Sequence, residues 1–183
     1  MSNSVSKKQK LLFKIILASI LVALNIILER LLAYSVWNQT ISFSFITIGF
    51  SAVYLGVPYA VIVATLGDII GSLLIPFGPY FFGFTLTNAI AGLITGIFLY
   101  KNANTIKIVA SVLINKVFST LILNTIWVSI LYRGGIDAFG AVFVTRIPQA
   151  VIMFVVESVL LVVLFHKKSN VRKLLDKSFK RIN

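Results

Sequence analysis

The sequence predicts an all-α integral membrane protein, a single bundle of six transmembrane helices with both termini in the cytoplasm. Three observations predict it. The 183-residue chain is 58% hydrophobic, with mean hydropathy +0.99 and only five acidic residues, too little polar surface to cover a water-soluble globule. Its apolar residues fall in runs near the about 20 residues that a helix needs to cross a hydrocarbon core about 30 Å thick. Its basic residues crowd the two ends, at Lys7, Lys8, Lys10 and Lys14 and again at Lys167, Lys168, Arg172, Lys173, Lys177, Lys180 and Arg181. Cytoplasmic flanks carry the excess of Lys and Arg, so two basic ends require an even number of crossings. The net charge of +12 is thereby read as a topology signal and not as a nucleic-acid footprint.

Taken in order, residues 1–10 form a basic cytoplasmic N-terminus, 11–165 one membrane domain and 166–183 a basic cytoplasmic tail. The first span is Leu11 to Leu32; it carries Asn25, Glu29 and Arg30 and lacks a small-residue cleavage site, which marks a retained helix and not a signal peptide. The stretch Ile41 to Ile75 would be about 52 Å long as one helix at about 1.5 Å per residue, too long for one crossing. It is expected to fold back at Gly56-Val57-Pro58, where Gly ends one helix and Pro opens the next, giving two shortish spans. Pro76, Gly78, Pro79 and Gly83 make the next break. Phe84 to Tyr100 is the fourth span, Ile106 to Tyr132 the fifth and Arg146 to Phe165 the sixth. The outward loops are then Tyr34 to Thr40, Pro76 to Gly83 and Arg133 to Thr145.

Polar groups inside these spans are costly, so they face the bundle interior, a partner or a water-filled cavity. Lys116, Thr120, Asn124 and Trp127 share one face of the fifth helix, and Arg146, Gln149, Met153 and Glu157 share one face of the sixth. Arg30 and Arg146 fall at the same outer level. Two guanidinium groups there suit an anionic ligand, since each binds a carboxylate bidentately. An alternative stands beside this for Arg30, which can instead snorkel to the headgroups or pair with Glu29. Asp68, Lys116 and Glu157, deeper in the membrane, are expected to pair with one another, and Tyr34 and Trp37 fit an interfacial aromatic belt as well as a site. Ser19 and Ala23, Gly67 and Gly71, and Gly92 and Gly96 are each four apart and permit close helix approach, either within the bundle or, on the first helix, against a partner subunit.

The chemistry of an enzyme is missing. No Gly-rich phosphate loop ending in Lys-Ser or Lys-Thr occurs, there is no cysteine, and the one histidine, His166, sits among basic residues at the end of the last span. No catalytic residue, metal site or cofactor is expected.

Three stretches carry a resemblance to a known family: Ile41-Ser42-Phe43-Ser44-Phe45-Ile46, the run Gly78-Pro79-Tyr80-Phe81-Phe82-Gly83-Phe84-Thr85-Leu86-Thr87, and Leu123-Asn124-Thr125-Ile126-Trp127, with Leu28-Glu29-Arg30-Leu31 on the first helix. The chain resembles the substrate-binding S components of energy-coupling factor (ECF) vitamin transporters, and among them the folate-specific members, from about Leu11 to Phe165. Thr47 and Phe82 stand where the family often has proline, and Ser19 where it more often has alanine. The resemblance implies a high-affinity, outward-facing folate pocket in a bacterial plasma-membrane protein. It also implies a membrane partner, the T subunit, approached through Ser19 and Ala23, and two cytoplasmic ATPases that energise uptake. Folate fits the residue types: Arg30 or Arg146 for its glutamyl carboxylates, Tyr80, Phe84 and Trp127 for stacking on its flat pterin, and Asn88 and Asn124 for the ring edge, with Trp37 and Thr85 completing the candidate site. S components for pantothenate, riboflavin or a queuosine precursor, or a structural membrane protein without a ligand, are the competing readings.

Overall fold

The computed structural model describes the backbone of residues 2–36, 39–167 and 169–182, and the side chains of residues 8–33, 41–167 and 169–177. Helix 1 runs over Ser2–Ile26 and continues as a wider π-helical turn over Ile27–Leu31. Tyr34–Val36 and Gln39–Ile41 then pair as a small antiparallel ladder, with Tyr34 opposite Ile41. Helix 2 spans Phe45–Tyr54, helix 3 Val57–Leu74 and helix 4 Phe82–Leu99. Helix 5, Thr105–Tyr132, contains a π-helical stretch over Asn115–Leu123, and helix 6 is Phe139–Phe165. A last helix occupies Asn170–Ile182.

Five of these helices are long and apolar enough to cross a membrane. Helix 2 is not: its ten residues reach only about 15 Å at about 1.5 Å per residue. The span expected to start at Ile41 loses its first turn because Ile41 is taken by the strand pair and helix 2 opens only after Ser44. The fold-back between helices 2 and 3 falls where expected. Gly56 adopts φ +103°, a left-handed conformation that side chains resist, and Pro58 sits in the first turn of helix 3, where its missing N–H is harmless.

A second difference concerns the expected loop Arg133 to Thr145. Only its start is irregular: Gly134 and Gly135 have φ of +82° and +133°, a 3₁₀ turn covers Ile136–Ala138, and helix 6 is under way by Phe139. Arg146 is therefore the eighth residue of its helix and not the first. Pro148 lies inside that helix, where its missing N–H leaves one carbonyl a turn earlier without its usual partner.

Small residues bring the helices together as their spacing predicts. A Cβ on Gly92 would lie 2.7 Å from the Ala60 carbonyl oxygen and one on Gly96 2.9 Å from the Val57 Cα, so helices 3 and 4 touch backbone to backbone. Gly67 and Gly71 make room for helix 1: a Cβ at Gly67 would come within 2.3 Å of the Asn25 Oδ1, and one at Gly71 within 3.1 Å of the Arg30 Nε. Ser19 and Ala23 instead stay on an exposed face of helix 1, opposite the buried Ala18, Leu21, Val22 and Asn25.

The alternating run of the helices puts both chain ends at one end of the bundle. At that end Ala52, Val53, Ala60, Leu99, Ala103, Ile108, Val112, Leu161 and Phe165 form a dry apolar core. The opposite half is polar and hollow.

Candidate functional site

A cavity of about 600 Å³ occupies the half of the bundle away from the termini, within the size range of small-molecule sites. It exists because helix 2 starts late. Where its outer half would stand, Ser42 and Ser44 of the incoming segment, with Phe45 and Ile48 of the helix, line an opening instead. The segment from Pro76 to Phe81 forms part of the wall at the mouth, and helices 1, 3, 4, 5 and 6 supply the rest.

Both π-helical segments face this cavity. Glu29 and Arg30 come from the first, and Asn115, Lys116, Ser119 and Thr120 from the second. An i→i+5 turn holds more residues than an α-turn, so it turns extra polar side chains toward one side, and such wide turns recur at functional sites.

Arg30 is held on several sides. Its Nη2 donates to Asp68 Oδ1 at 3.2 Å and to Ser72 Oγ at 2.7 Å, and its guanidinium lies 4.9 Å from the centre of the Phe77 ring. Among the described residues Arg30 thus pairs with Asp68 and not with Glu29, and Asp68, expected to join Lys116 or Glu157, belongs to Arg30. The reason is geometric: Gly71 leaves the space through which Arg30 reaches helix 3. Asp68 is 3% exposed and its second oxygen accepts from Thr85 Oγ1 at 2.6 Å; Thr85 in turn meets the Tyr80 hydroxyl at 2.9 Å. One polar chain therefore joins helix 1, helix 3, helix 4 and the mouth segment.

Deeper in, Lys116 donates to Glu157 Oε1 at 2.5 Å, one of the pairings that the sequence left open among Asp68, Lys116 and Glu157. Asn115 donates to Thr95 Oγ1 at 3.0 Å, while its own Oδ1, like Asn124 Oδ1 and Ser119 Oγ, is buried without a hydrogen-bond partner. Buried polar atoms without partners are costly in an empty protein, and a ligand bearing N–H or O–H donors would satisfy them. Arg146, 7% exposed, lines the same cavity from helix 6 together with Gln149, Met153 and Glu157.

Of the residues singled out in the sequence, Arg30, Tyr80, Phe84, Asn88, Asn124 and Arg146 line the cavity. Thr85 and Trp127 do not. Thr85 is buried behind Tyr80, and Trp127 sits behind Phe81, its ring 5.5 Å away and its Nε1–H donating to Thr87 Oγ1 at 3.0 Å. Both brace the wall. Trp37 lies outside the described residues. Sequence reasoning left Asp68, Lys116 and Glu157 as structural pairs only, although all three line the cavity, and it missed Asn115, Ser119, Ser72 and Phe77. Asn115 and Ser119, themselves four apart, flank the row of Lys116 and Thr120, and the π-helical stretch carries both rows at the cavity.

Comparison with known proteins agrees with this architecture. The model of the ECF transporter, substrate-specific component family matches residues 13–165. The folate transporter FolT of Clostridium novyi (strain NT) is 32% identical over 142 residues, covering 77% of this chain and 81% of that protein. The folate transporter FolT of Leuconostoc mesenteroides subsp. mesenteroides is 31% identical over 146 residues, covering 78% of each. A crystal structure of FolT bound with folic acid superposes with a TM-score of 0.76 at 32% identity, over 82% of this chain and 91% of that one. With its helical membrane bundle, its one hollow half and a family match running the length of that bundle, the chain belongs to the substrate-specific components of the ECF transporters.

Proposed function

We propose that this protein is the folate-binding S subunit of an ECF-type importer in a bacterial plasma membrane. The observation that carries the reading is the cavity: two arginines from different helices line one enclosed space that also offers aromatic rings and buried acceptors lacking donors. Folate has the complementary parts. Its glutamyl carboxylates fit Arg30 and Arg146, its pterin fits between rings such as Tyr80 and Phe84, and its N–H-bearing edge fits the amide oxygens of Asn115 and Asn124, with Asn88 beside them. Thr85 and Trp127 hold Tyr80 and Phe81 in place.

Six crossings with both basic ends in the cytoplasm accompany this reading, helix 2 serving as a half-length member whose remaining path is the incoming segment from Ser42. Residues 1–10 and 166–183 then flank one membrane domain on its cytoplasmic side. The chain carries no nucleotide motif of its own, and energy comes from two ATPases through the T subunit. The exposed face of helix 1, where Ser19 and Ala23 leave small gaps between Ile16, Ile20 and Ile27, supports a docking role toward that subunit.

The test is equilibrium binding of folate to the purified chain in detergent, with pantothenate and riboflavin as competitors and no other subunit present. Tight one-to-one binding of folate, undisturbed by either competitor, is expected. Absence of folate binding, or displacement by riboflavin, would remove the assignment.

A further inference from the structure

The last helix, Asn170–Ile182, has no place in the ligand site, yet its sequence is sharply two-sided. By helical spacing the sequence places Val171, Leu174, Leu175, Phe179 and Ile182 on one side, Lys173, Lys177 and Lys180 on the other, and Arg181 at the border. Leu174 is 67% and Val171 37% exposed.

The helix cannot drift away from the bundle end. The Arg172 Nη1 donates to the Phe165 carbonyl at 2.8 Å, the Lys167 N–H to the Ala103 carbonyl at 3.3 Å and the Ser169 N–H to the His166 carbonyl at 2.9 Å. Asp176 pairs with Arg172 at 3.6 Å, one turn apart on the same helix. These ties use the Arg172 edge. They fix the start of the helix beside the last turn of helix 6, the end of an apolar span.

From this we infer that the helix Asn170–Ile182 is an interfacial anchor that binds anionic phospholipid, its apolar stripe among the acyl chains and its basic stripe at the phosphates. Charge complementarity selects this occupant: seven basic residues follow Phe165 against one acid, Asp176, and Asp176 is paired with Arg172. A basic stripe beside an apolar one is the pattern that reads a negative surface, each basic residue near it strengthening attachment about fivefold.

The full-length chain is placed in nanodiscs of phosphatidylcholine alone or mixed with phosphatidylglycerol, both leaflets being of the same composition so that orientation does not matter. Amide hydrogen exchange of residues 170–182 is followed by mass spectrometry, and folate binding is measured in the same discs. Exchange is expected to slow by about fivefold or more in the anionic discs, and high salt should erase the difference. The variant carrying Lys173→Gln, Lys177→Gln, Lys180→Gln and Arg181→Gln should lose it while binding folate as before. Equal exchange in both lipids, persistence of the effect in the four-site variant, or protection that arises only when another protein is added would each overturn the inference. Loss of folate binding with the lipid effect intact would strike the substrate assignment alone.

Discussion

At the scale of single residues, the cavity is a set of charges held in matched positions before any ligand arrives. Arg30 is fixed by Asp68, Ser72 and the Phe77 ring, so little side-chain freedom remains to be lost on binding, and a planar guanidinium kept in place is a good receptor for a carboxylate. Replacing Arg30 and Arg146 singly by Ala should weaken folate binding at least about tenfold for one of the two, as loss of a charge-assisted hydrogen bond requires; unchanged titration curves for both would rule out the arginine clamp. The Lys116–Glu157 pair permits a second prediction. Removing one partner of a buried ion pair strands the other, at a cost of about 3–5 kcal/mol, whereas replacing both by apolar residues is far milder. Thermal unfolding in detergent should therefore show Lys116→Met well below the double variant Lys116→Met/Glu157→Leu, and equal melting temperatures would show that the pair is not buried together. The residues that define these pairs were legible in the sequence as costly intramembrane charges; which charge meets which was not. Asp68 sits on helix 3 and its partner on helix 1, and only the gap at Gly71 makes that meeting possible.

At the scale of elements, glycine spacing proved the more informative signal. The pairs Gly67 and Gly71, and Gly92 and Gly96, forecast close packing, and both are contacts at which a methyl group would collide. Gly92 is the stricter of the two because the obstacle is the backbone carbonyl of Ala60. Gly92→Ala should cost about 1–3 kcal/mol by forcing helices 3 and 4 apart, seen as a lower melting temperature of the detergent-solubilised chain with folate affinity reduced in parallel; a melting temperature equal to that of the parent would mean that the helices are not so close. Period-based reading caught only one row where the helix is not α. The π-helical stretch Asn115–Leu123 brings Asn115 and Ser119 to the cavity beside Lys116 and Thr120, a wider polar face than the single row of Lys116, Thr120, Asn124 and Trp127. At helix 2, hydropathy alone does not separate a ten-residue helix preceded by a strand from a longer crossing, and helix 6, expected from Arg146, begins seven residues earlier at Phe139.

At the scale of the whole molecule, alternating helices, charge distribution and the match to the ECF substrate-specific components give one consistent picture. Its orientation is testable because the chain has no cysteine. Lys10→Cys and Lys177→Cys, both at exposed positions, should react with a membrane-impermeant maleimide only in inverted vesicles, and Gly140→Cys only in intact cells. Labelling of the two ends from opposite faces would exclude an even number of crossings.

The abbreviated helix 2 has a consequence for transport itself. By starting only at Phe45 it opens the outer half of the bundle, while its buried Ala52 and Val53 complete a plug with Leu99, Leu161 and Phe165 beneath that space. The molecule is accordingly a cup with a sealed base and not a conduit. No rearrangement of a few side chains can turn it into a pore, since the seal is made by the same residues that hold the helices together. A solute held in this space is separated from the far end of the bundle by packed side chains, and its direct way out is the mouth by which it entered.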